Sequence, residues 1–377
     1  MSVARWPLGL CLLAACAVSR PLAFEQRLAA GDRAFSSGRY AEAAAAYASA
    51  AETGGRVRDQ DQARFLAAMA WRRAGDPARA LALFDALAAT SATWDRGPRA
   101  AFEAAVMRWR SDDPATQSQG RADLEALIVR DPRTGAARRG VILLLRDLDA
   151  ADPSLARSLA WLESLATRDN VRASVLYELV RAAQATRLQT LGRIDEALAA
   201  WRRLLAEIPY PQNSHWDDGH ERIALMLRAR GDARGALAAL DAMLAVREPV
   251  YSSGSYNAPR FDDGAMLRAE ILRDDLHDLP AAAEAFHFVY ASFRESIRRD
   301  DALHAEARVR AQMGDGSACA VWHRLAEEFP CRRFGRQARE EATRCGRTPE
   351  PLAPDACRAS GRRARRLGPA ATTPSQD

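Results

Sequence analysis

One spacing recurs along this chain and limits the folds it can adopt. A glycine is followed by alanine five residues later and by a large apolar residue nine residues later. Such a glycine can end a helix, the small residue lets two helices approach closely, and the large residue fills the space between them. One helical pair cannot bury its apolar face alone, so several must stack. The blocks are Gly38, Ala43, Tyr47; Gly75, Ala80, Phe84; Gly192, Ala197, Trp201; and Gly231, Ala236, Leu240.

Weaker blocks fill the intervals between these four. His277 stands where the glycine is expected, and the block that begins at Gly314 is one residue short. Segments 98–131 and 134–167 are degenerate, and strand signals are nearly absent between residues 24 and 345. Apolar and alanine positions recur with helical spacing through this range. The pattern predicts about eight helix pairs and a final helix near 334–344.

Two further positions complete a familiar repeat. A small residue precedes the turn at Gly31, Ala68 and Ala224, and a proline closes the unit at Pro132, Pro209 and Pro330. The chain therefore resembles the tetratricopeptide (TPR) family of 34-residue helix-turn-helix repeats. The resemblance implies an all-α, right-handed superhelix (solenoid) of about eight TPR-like repeats. It also implies a non-catalytic scaffold that binds a protein or peptide, since fold alone assigns no chemistry.

The N-terminus has the features of an export signal. Arg5 precedes a short apolar stretch that ends in Leu13-Ala14-Ala15-Cys16, which resembles a bacterial lipobox. This resemblance implies a signal peptide over 1–15 and lipid attachment at Cys16. Because Ala17 follows instead of aspartate, it further implies an outer-membrane lipoprotein that faces the periplasm. The alternatives are an ordinary secretory signal with an incidental cysteine and a cytoplasmic adaptor whose start is misassigned.

Most of the excess positive charge lies at the C-terminus. All 54 basic residues are arginine, the formal net charge is +5, and six arginines lie in 346–377. Residues 16–345, the predicted solenoid, are nearly neutral, which disfavours a nucleic-acid partner. The tail 346–377 is rich in arginine, proline and small residues, and we predict that it is disordered. Its cluster Arg362-Arg363-Ala364-Arg365-Arg366 could also contact an anionic envelope polymer or lipid.

Four cysteines cluster near the end of the solenoid. They are Cys319, Cys331, Cys345 and Cys357, and no two of them form a C-x-x-C pair. This spacing disfavours a structural zinc site. In an exported chain it favours two disulfides. Cys319 should begin a helix and Cys345 should end the antiparallel return helix. This geometry favours the pairs Cys319–Cys345 and Cys331–Cys357. The other two connectivities, and reduced thiols, remain open.

Two sets of polar residues are of types that can bind a metal or act in acid–base catalysis. The pairs Asp217-Asp218, Asp262-Asp263 and Asp300-Asp301 each open a predicted first helix, and we interpret them as acids that cap free N–H groups and meet the helix dipole. The segment from His215 to Glu221 holds two histidines with acids between them. Residues five apart share a helix face poorly, so we expect no metal there. No catalytic motif or cofactor fingerprint is present, and we expect no cofactor.

Two loops are longer than a solenoid needs, namely 208–216 and 249–261. Both connect a second helix to the next first helix, so both should emerge on the same edge. They concentrate aromatic residues in a chain otherwise poor in them: Tyr210, Trp216, Tyr251, Tyr256 and Phe261. Exposed aromatics suit a protein contact. The alternative is that they pack on the adjoining repeat.

Together these patterns predict a lipid-tethered scaffold of the cell envelope that binds a protein or peptide. The alternatives are a subunit of an outer-membrane assembly, secretion or motility machine, and a cell-wall-associated enzyme or binder that uses the repeats for docking.

Overall fold

The computed structural model describes residues 20–91, 95–246, 260–352 and 357. Within these ranges the regular structure consists of eighteen α-helices and contains no strand. The helices are α1 (Leu22–Ser36), α2 (Tyr40–Thr53), α3 (Val57–Arg73), α4 (Pro77–Thr90), α5 (Arg96–Trp109), α6 (Pro114–Arg130), α7 (Gly135–Ala151), α8 (Ala156–Ala166), α9 (Asp169–Arg172), α10 (Leu176–Thr190), α11 (Ile194–Glu207), α12 (Trp216–Ala229), α13 (Ala233–Ala245), α14 (Phe261–Asp274), α15 (Leu279–Ser292), α16 (Arg299–Gln312), α17 (Ala318–Glu328) and α18 (Gly335–Arg344).

Sixteen of these helices form eight consecutive hairpins, each with a first and a second helix. The hairpins are α1–α2, α3–α4, α5–α6, α7–α8, α10–α11, α12–α13, α14–α15 and α16–α17. The four-residue α9 and the terminal α18 stand outside the pairs. The predicted fold class, an all-α solenoid of helix-turn-helix repeats, is confirmed.

The chain forms two compact units, whereas the repeat pattern predicts one solenoid over 16–345. Unit 1 ends at Tyr177 and unit 2 begins at Glu178. The division follows the stretch where the repeat is weakest. There α8 has only 11 residues, and the four-residue α9 that follows it belongs to no hairpin.

The turn glycines have the backbone conformation that the spacing requires. Gly75 has φ 81° and Gly231 has φ 80°, in the left-handed region that glycine adopts without a steric penalty. His277, which stands where a glycine was expected, has φ 53°. The turn geometry is therefore kept even where the residue that suits it is absent.

The spacing also identifies the core between the two helices of each hairpin. The alanines five residues after the turn glycines are fully buried, and so are Phe84, Trp201 and Leu240 nine residues after them. At Gly31 an added Cβ would lie 2.5 Å from the ring of Tyr47. This position therefore has to be small for the first hairpin to close.

Aspartate side chains fix the start of four second helices. Asp76 accepts from the Arg79 N–H at 3.0 Å, and Asp232 accepts from the Gly235 N–H at 2.8 Å. Asp113 and Asp278 cap α6 and α15 in the same way. A side-chain acceptor at this position satisfies an otherwise unpaired N–H, so each second helix begins directly after its turn.

The last repeat is closed by disulfides. Cys319 is bonded to Cys345, and Cys331 is bonded to Cys357. These are the pairs that the sequence geometry favoured. The Arg339 guanidinium also donates to the carbonyl of Glu350 at 2.8 Å. The beginning of the segment predicted to be a disordered tail is thus held against α18, because it forms part of the closure of the last repeat.

The described part of the chain contains no helix that is both long enough and apolar enough to cross a membrane. The predicted signal peptide, Cys16 and the basic cluster 362–366 lie outside the described residues.

Candidate interaction surfaces

The loop between α11 and α12 is anchored at both ends. Asn213 is 1% exposed and donates to the carbonyl of Ile208 at 2.8 Å. The Ser214 hydroxyl and the His215 N–H both donate to Glu178 of α10, at 2.7 and 3.0 Å. The loop is therefore a fixed part of unit 2.

The predicted aromatic contact residues have different environments. Tyr210 is half-buried, and its ring centroid lies 6.3 Å from that of Trp216. Trp216 is half-buried against the core that contains Met243 and Phe261. Tyr210 and Trp216 therefore lie together on unit 2, and both residues are partly exposed.

Phe261 is not an exposed contact residue, and that prediction was wrong. It is 5% exposed and packs against Met243 of α13. Phe261 begins α14, where its side chain meets the preceding hairpin and fills the space between the two repeats. Tyr251 and Tyr256 lie outside the described residues.

The acids and histidines of the segment 215–221 do not form a metal site. Glu221 pairs with Arg260 at 2.8 Å, and Asp218 pairs with Arg222 at 2.9 Å. His220 is 8% exposed and packs edge-on against Trp216. Among the described residues, no group of three or more histidine, cysteine, aspartate or glutamate side chains could hold a metal ion.

His220 is a buried imidazole without a hydrogen bond of good geometry at either ring nitrogen. Burial lowers its pKa from 6.5 to about 4, and the nearby backbone of Ala239 opposes part of that shift. Removing the ring from water disfavours its charged form. The imidazole is therefore neutral at neutral pH and forms part of the apolar core.

The acids that open the first helices connect successive repeats. Asp217 accepts from the Arg260 N–H at 2.9 Å, immediately before the next first helix, α14. In the same way Asp262 accepts from the Ser296 hydroxyl at 2.6 Å, just before α16. We call these contacts the inter-repeat acid bonds. Asp61 with Ser91, and Glu178 with Ser214, repeat the arrangement.

The predicted capping role of these acids was therefore incomplete. Asp217 and Asp262 do accept from the next N–H of their own helix, at 2.9 and 3.0 Å. Their second carboxylate oxygen is used by the following repeat. Burial makes this second bond important, since Asp217 is only 2% exposed and an unpaired group there would be costly.

Unit 1 has a surface that the sequence analysis missed. The guanidinium of Arg99 in α5 lies 4.6 Å from the ring centroid of Phe65 in α3. That of Arg139 in α7 lies 4.5 Å from the ring centroid of Phe102 in α5. A signal was present in the sequence, because each arginine follows its phenylalanine by about one repeat length, 34 and 37 residues.

The exposed side of α7 continues this surface. Arg138, Ile142 and Arg146 are all exposed and follow one another at intervals of four residues. Side chains spaced in this way share one helix face. Ile142 is 50% exposed, so an apolar side chain is flanked by two cations. We call Arg99, Arg138, Arg139, Ile142 and Arg146 the arginine face.

Comparisons with known proteins find TPR structures but no family model. No protein-family model matches the chain, and no curated protein matches it. A tetratricopeptide repeat protein from Parabacteroides merdae is 14% identical, with 76% of this chain and 99% of that chain covered and a TM-score of 0.32. The TPR2AB domain of yeast Sti1, in a complex with pHSP90, is 12% identical, with coverage of 86% and 98% and a TM-score of 0.27. The P58(IPK) TPR domain is 13% identical, with coverage of 86% and 88% and a TM-score of 0.27.

Proposed function

We propose that this protein is a non-catalytic scaffold that binds a protein or peptide partner in the cell envelope and is anchored there by lipid at Cys16. The observation that carries the binding role is the series of eight consecutive hairpins, whose first helices follow one another as a row in each unit. Such rows suit an extended or helical segment of another protein, because each repeat adds a fixed set of contacts.

The four described cysteines support an oxidising location. Both disulfides close the last repeat, and disulfides of this structural kind persist in exported proteins. The Leu13-Ala14-Ala15-Cys16 segment supports lipid attachment at the membrane. Stable anchoring takes more than one acyl chain, as in bacterial lipoproteins. The destination we propose is the periplasmic face of the outer membrane.

The first test is the intact mass of the protein from its native membrane fraction, with and without reductant. We expect a chain that begins at Cys16, carries added acyl chains and gains four hydrogens on reduction. An unmodified mass with free thiols would contradict the envelope location.

The binding role needs a separate test in the same cells. A photo-crosslinking amino acid is placed at Tyr210 or Tyr251, which belong to the two long loops of the sequence, or at Ile142 on the arginine face. The control position is Arg203, which is exposed on the second helix α11. We expect a discrete protein adduct from at least one of the three positions and none from the control. Adducts from no position would contradict the scaffold role.

A further inference from the structure

We propose that the arginine face of unit 1 binds an acidic amphipathic helix of the partner protein. This inference rests on the proposed scaffold function and specifies the chemistry of the segment that is bound. It depends on a difference in charge between the two units, on the burial of nearby acids, and on the spacing along α7.

The first helices of unit 1 are far more basic than those of unit 2. In α1, α3, α5 and α7 there are twelve arginines and seven acids. In α10, α12, α14 and α16 there are nine arginines and eleven acids. The second helices of unit 1 do not share the excess, since α2, α4, α6 and α8 hold four arginines and six acids. Within unit 1, the excess of arginine over acids thus lies in the first helices.

Three of the seven acids in those first helices contribute little to the surface. Asp59 is fully buried and paired with Arg20 and Arg56. Asp61 is 2% exposed, and Glu103 is 8% exposed and paired with Arg72 at 2.6 Å. Burial of these carboxylates leaves arginine as the predominant charged group on the exposed side of α3 and α5. The surface therefore attracts negative charge.

The guanidinium groups are also held in position. Stacking over Phe65 and Phe102 restricts Arg99 and Arg139 before any partner arrives. Both phenylalanines are nearly buried, at 2% and 9% exposure, so the rings form a rigid support. Preorganised donors lose less conformational entropy on binding.

The spacing along α7 selects a helical partner. Residue 142 lies four positions from both 138 and 146, so each step along the helix axis is about 6 Å. A partner helix with glutamate, an apolar residue and glutamate at the same intervals would match Arg138, Ile142 and Arg146 in turn. A nucleic acid would leave the exposed Ile142 against phosphates. An acidic helix with one apolar stripe meets all three side chains.

The test uses the mature chain and a labelled synthetic peptide of about five helical turns. The peptide carries glutamate and leucine on one face at four-residue intervals, and a matched peptide has glutamine at each glutamate. The chain variants are the double substitution R138Q/R146Q and the control R202Q/R203Q, which removes two exposed arginines from α11. Circular dichroism and thermal unfolding establish that each variant is folded.

We expect the acidic peptide to bind with an affinity that falls as salt is added. The R138Q/R146Q substitution should weaken it about fivefold to tenfold, because exposed charge pairs contribute little individually. The R202Q/R203Q control should change it less than twofold, and the glutamine peptide should not bind.

Several results would overturn the inference. These are that the acidic peptide does not bind, that the glutamine peptide binds as tightly as the acidic one, or that the R138Q/R146Q variant binds the acidic peptide as tightly as the unsubstituted chain does. Stronger binding of phosphatidylglycerol vesicles or duplex DNA, abolished by the same substitutions, would assign the face to a lipid surface or a nucleic acid. A protein adduct found by crosslinking but unaffected by R138Q/R146Q would remove this inference and leave the scaffold function intact.

Discussion

His277 shows how a residue can occupy a turn that its own conformational preference opposes. Its φ of 53° lies where a side chain strains the backbone. We expect His277→Gly to stabilise unit 2 by about 0.5 kcal/mol, because relief of the strain exceeds the added flexibility of the unfolded chain. Urea unfolding followed by circular dichroism measures the change.

Gly75 provides the converse substitution. Its φ is 81°, and an added Cβ would meet no atom within 4 Å, so the backbone conformation is the only obstacle. We expect Gly75→Ala to destabilise unit 1 by about 1 kcal/mol. If both substitutions shift the unfolding midpoint in the same direction, the left-handed turn is not the cause.

His220 should make unit 2 sensitive to acid. Its pKa is about 4 when folded and 6.5 as an ordinary histidine, so the unfolded chain takes up the proton first as pH falls. The stability is therefore complete above pH 6.5 and declines as pH decreases from 6.5 to 4. The loss by pH 4 is on the order of 3 kcal/mol.

The substitution His220→Leu should remove that part of the pH dependence. It replaces a buried ring that has no hydrogen bonds of good geometry, so stability at pH 7.5 should be unchanged or higher. His215→Leu is the matched control, since His215 is only half-buried. Unfolding curves from pH 7.5 to 4.5 provide the comparison, and equal acid sensitivity of H220L and wild type would assign the effect to other groups.

At the scale of the helix, first-turn acids bond the following repeat as well as their own helix. Asp217 accepts the Arg260 N–H, which belongs to the segment before the next first helix. We expect Asp217→Ala to cost about 1–3 kcal/mol, because it removes a buried, charged acceptor that bonds the backbone N–H groups of Asp218 and Arg260. Asp217→Asn keeps one acceptor oxygen and should cost less.

Hydrogen exchange locates this effect. Protection should fall in residues 260–274 of the following repeat as well as in α12. Asp195→Ala removes an exposed ion pair with Arg230 and should leave exchange unchanged. Loss of protection confined to α12 in D217A would show that the acid acts only as a cap.

The helices themselves were largely predictable from sequence. The turn glycine marks where one helix ends, and the residues five and nine positions later mark the core between the two helices. The inter-repeat acid bonds were not predictable, because the partners Asp217 and Arg260 lie 43 residues apart and the bond uses a backbone N–H that no residue type marks. Phe261 was misassigned for a related reason. Its position at the start of α14 can face the core or solvent, and only the packing of Met243 decides between them.

At the scale of the whole chain, repeats that contact mainly their neighbours keep perturbations local. The disulfides lie entirely within the last repeats of unit 2, and each closes a loop with a sequence separation of 26 residues. In the loop-entropy description a cross-link of this length contributes about 3 kcal/mol. Within the described part of the chain, no further helix pair covers the outer face of α18, and the disulfides stabilise this end of unit 2.

Reduction should therefore loosen one end of the molecule. With reductant, we expect hydrogen exchange to accelerate in residues 299–346, to change little in α10–α13, and to be unaltered in unit 1. The double substitution C319S/C345S should reproduce the effect in α16–α18, whereas C331S/C357S should mainly release residues 346–352 from Arg339. The control is wild-type chain without reductant at the same pH. Uniform acceleration across both units would show that the chain unfolds as one cooperative body, and the disulfides would then stabilise all of it.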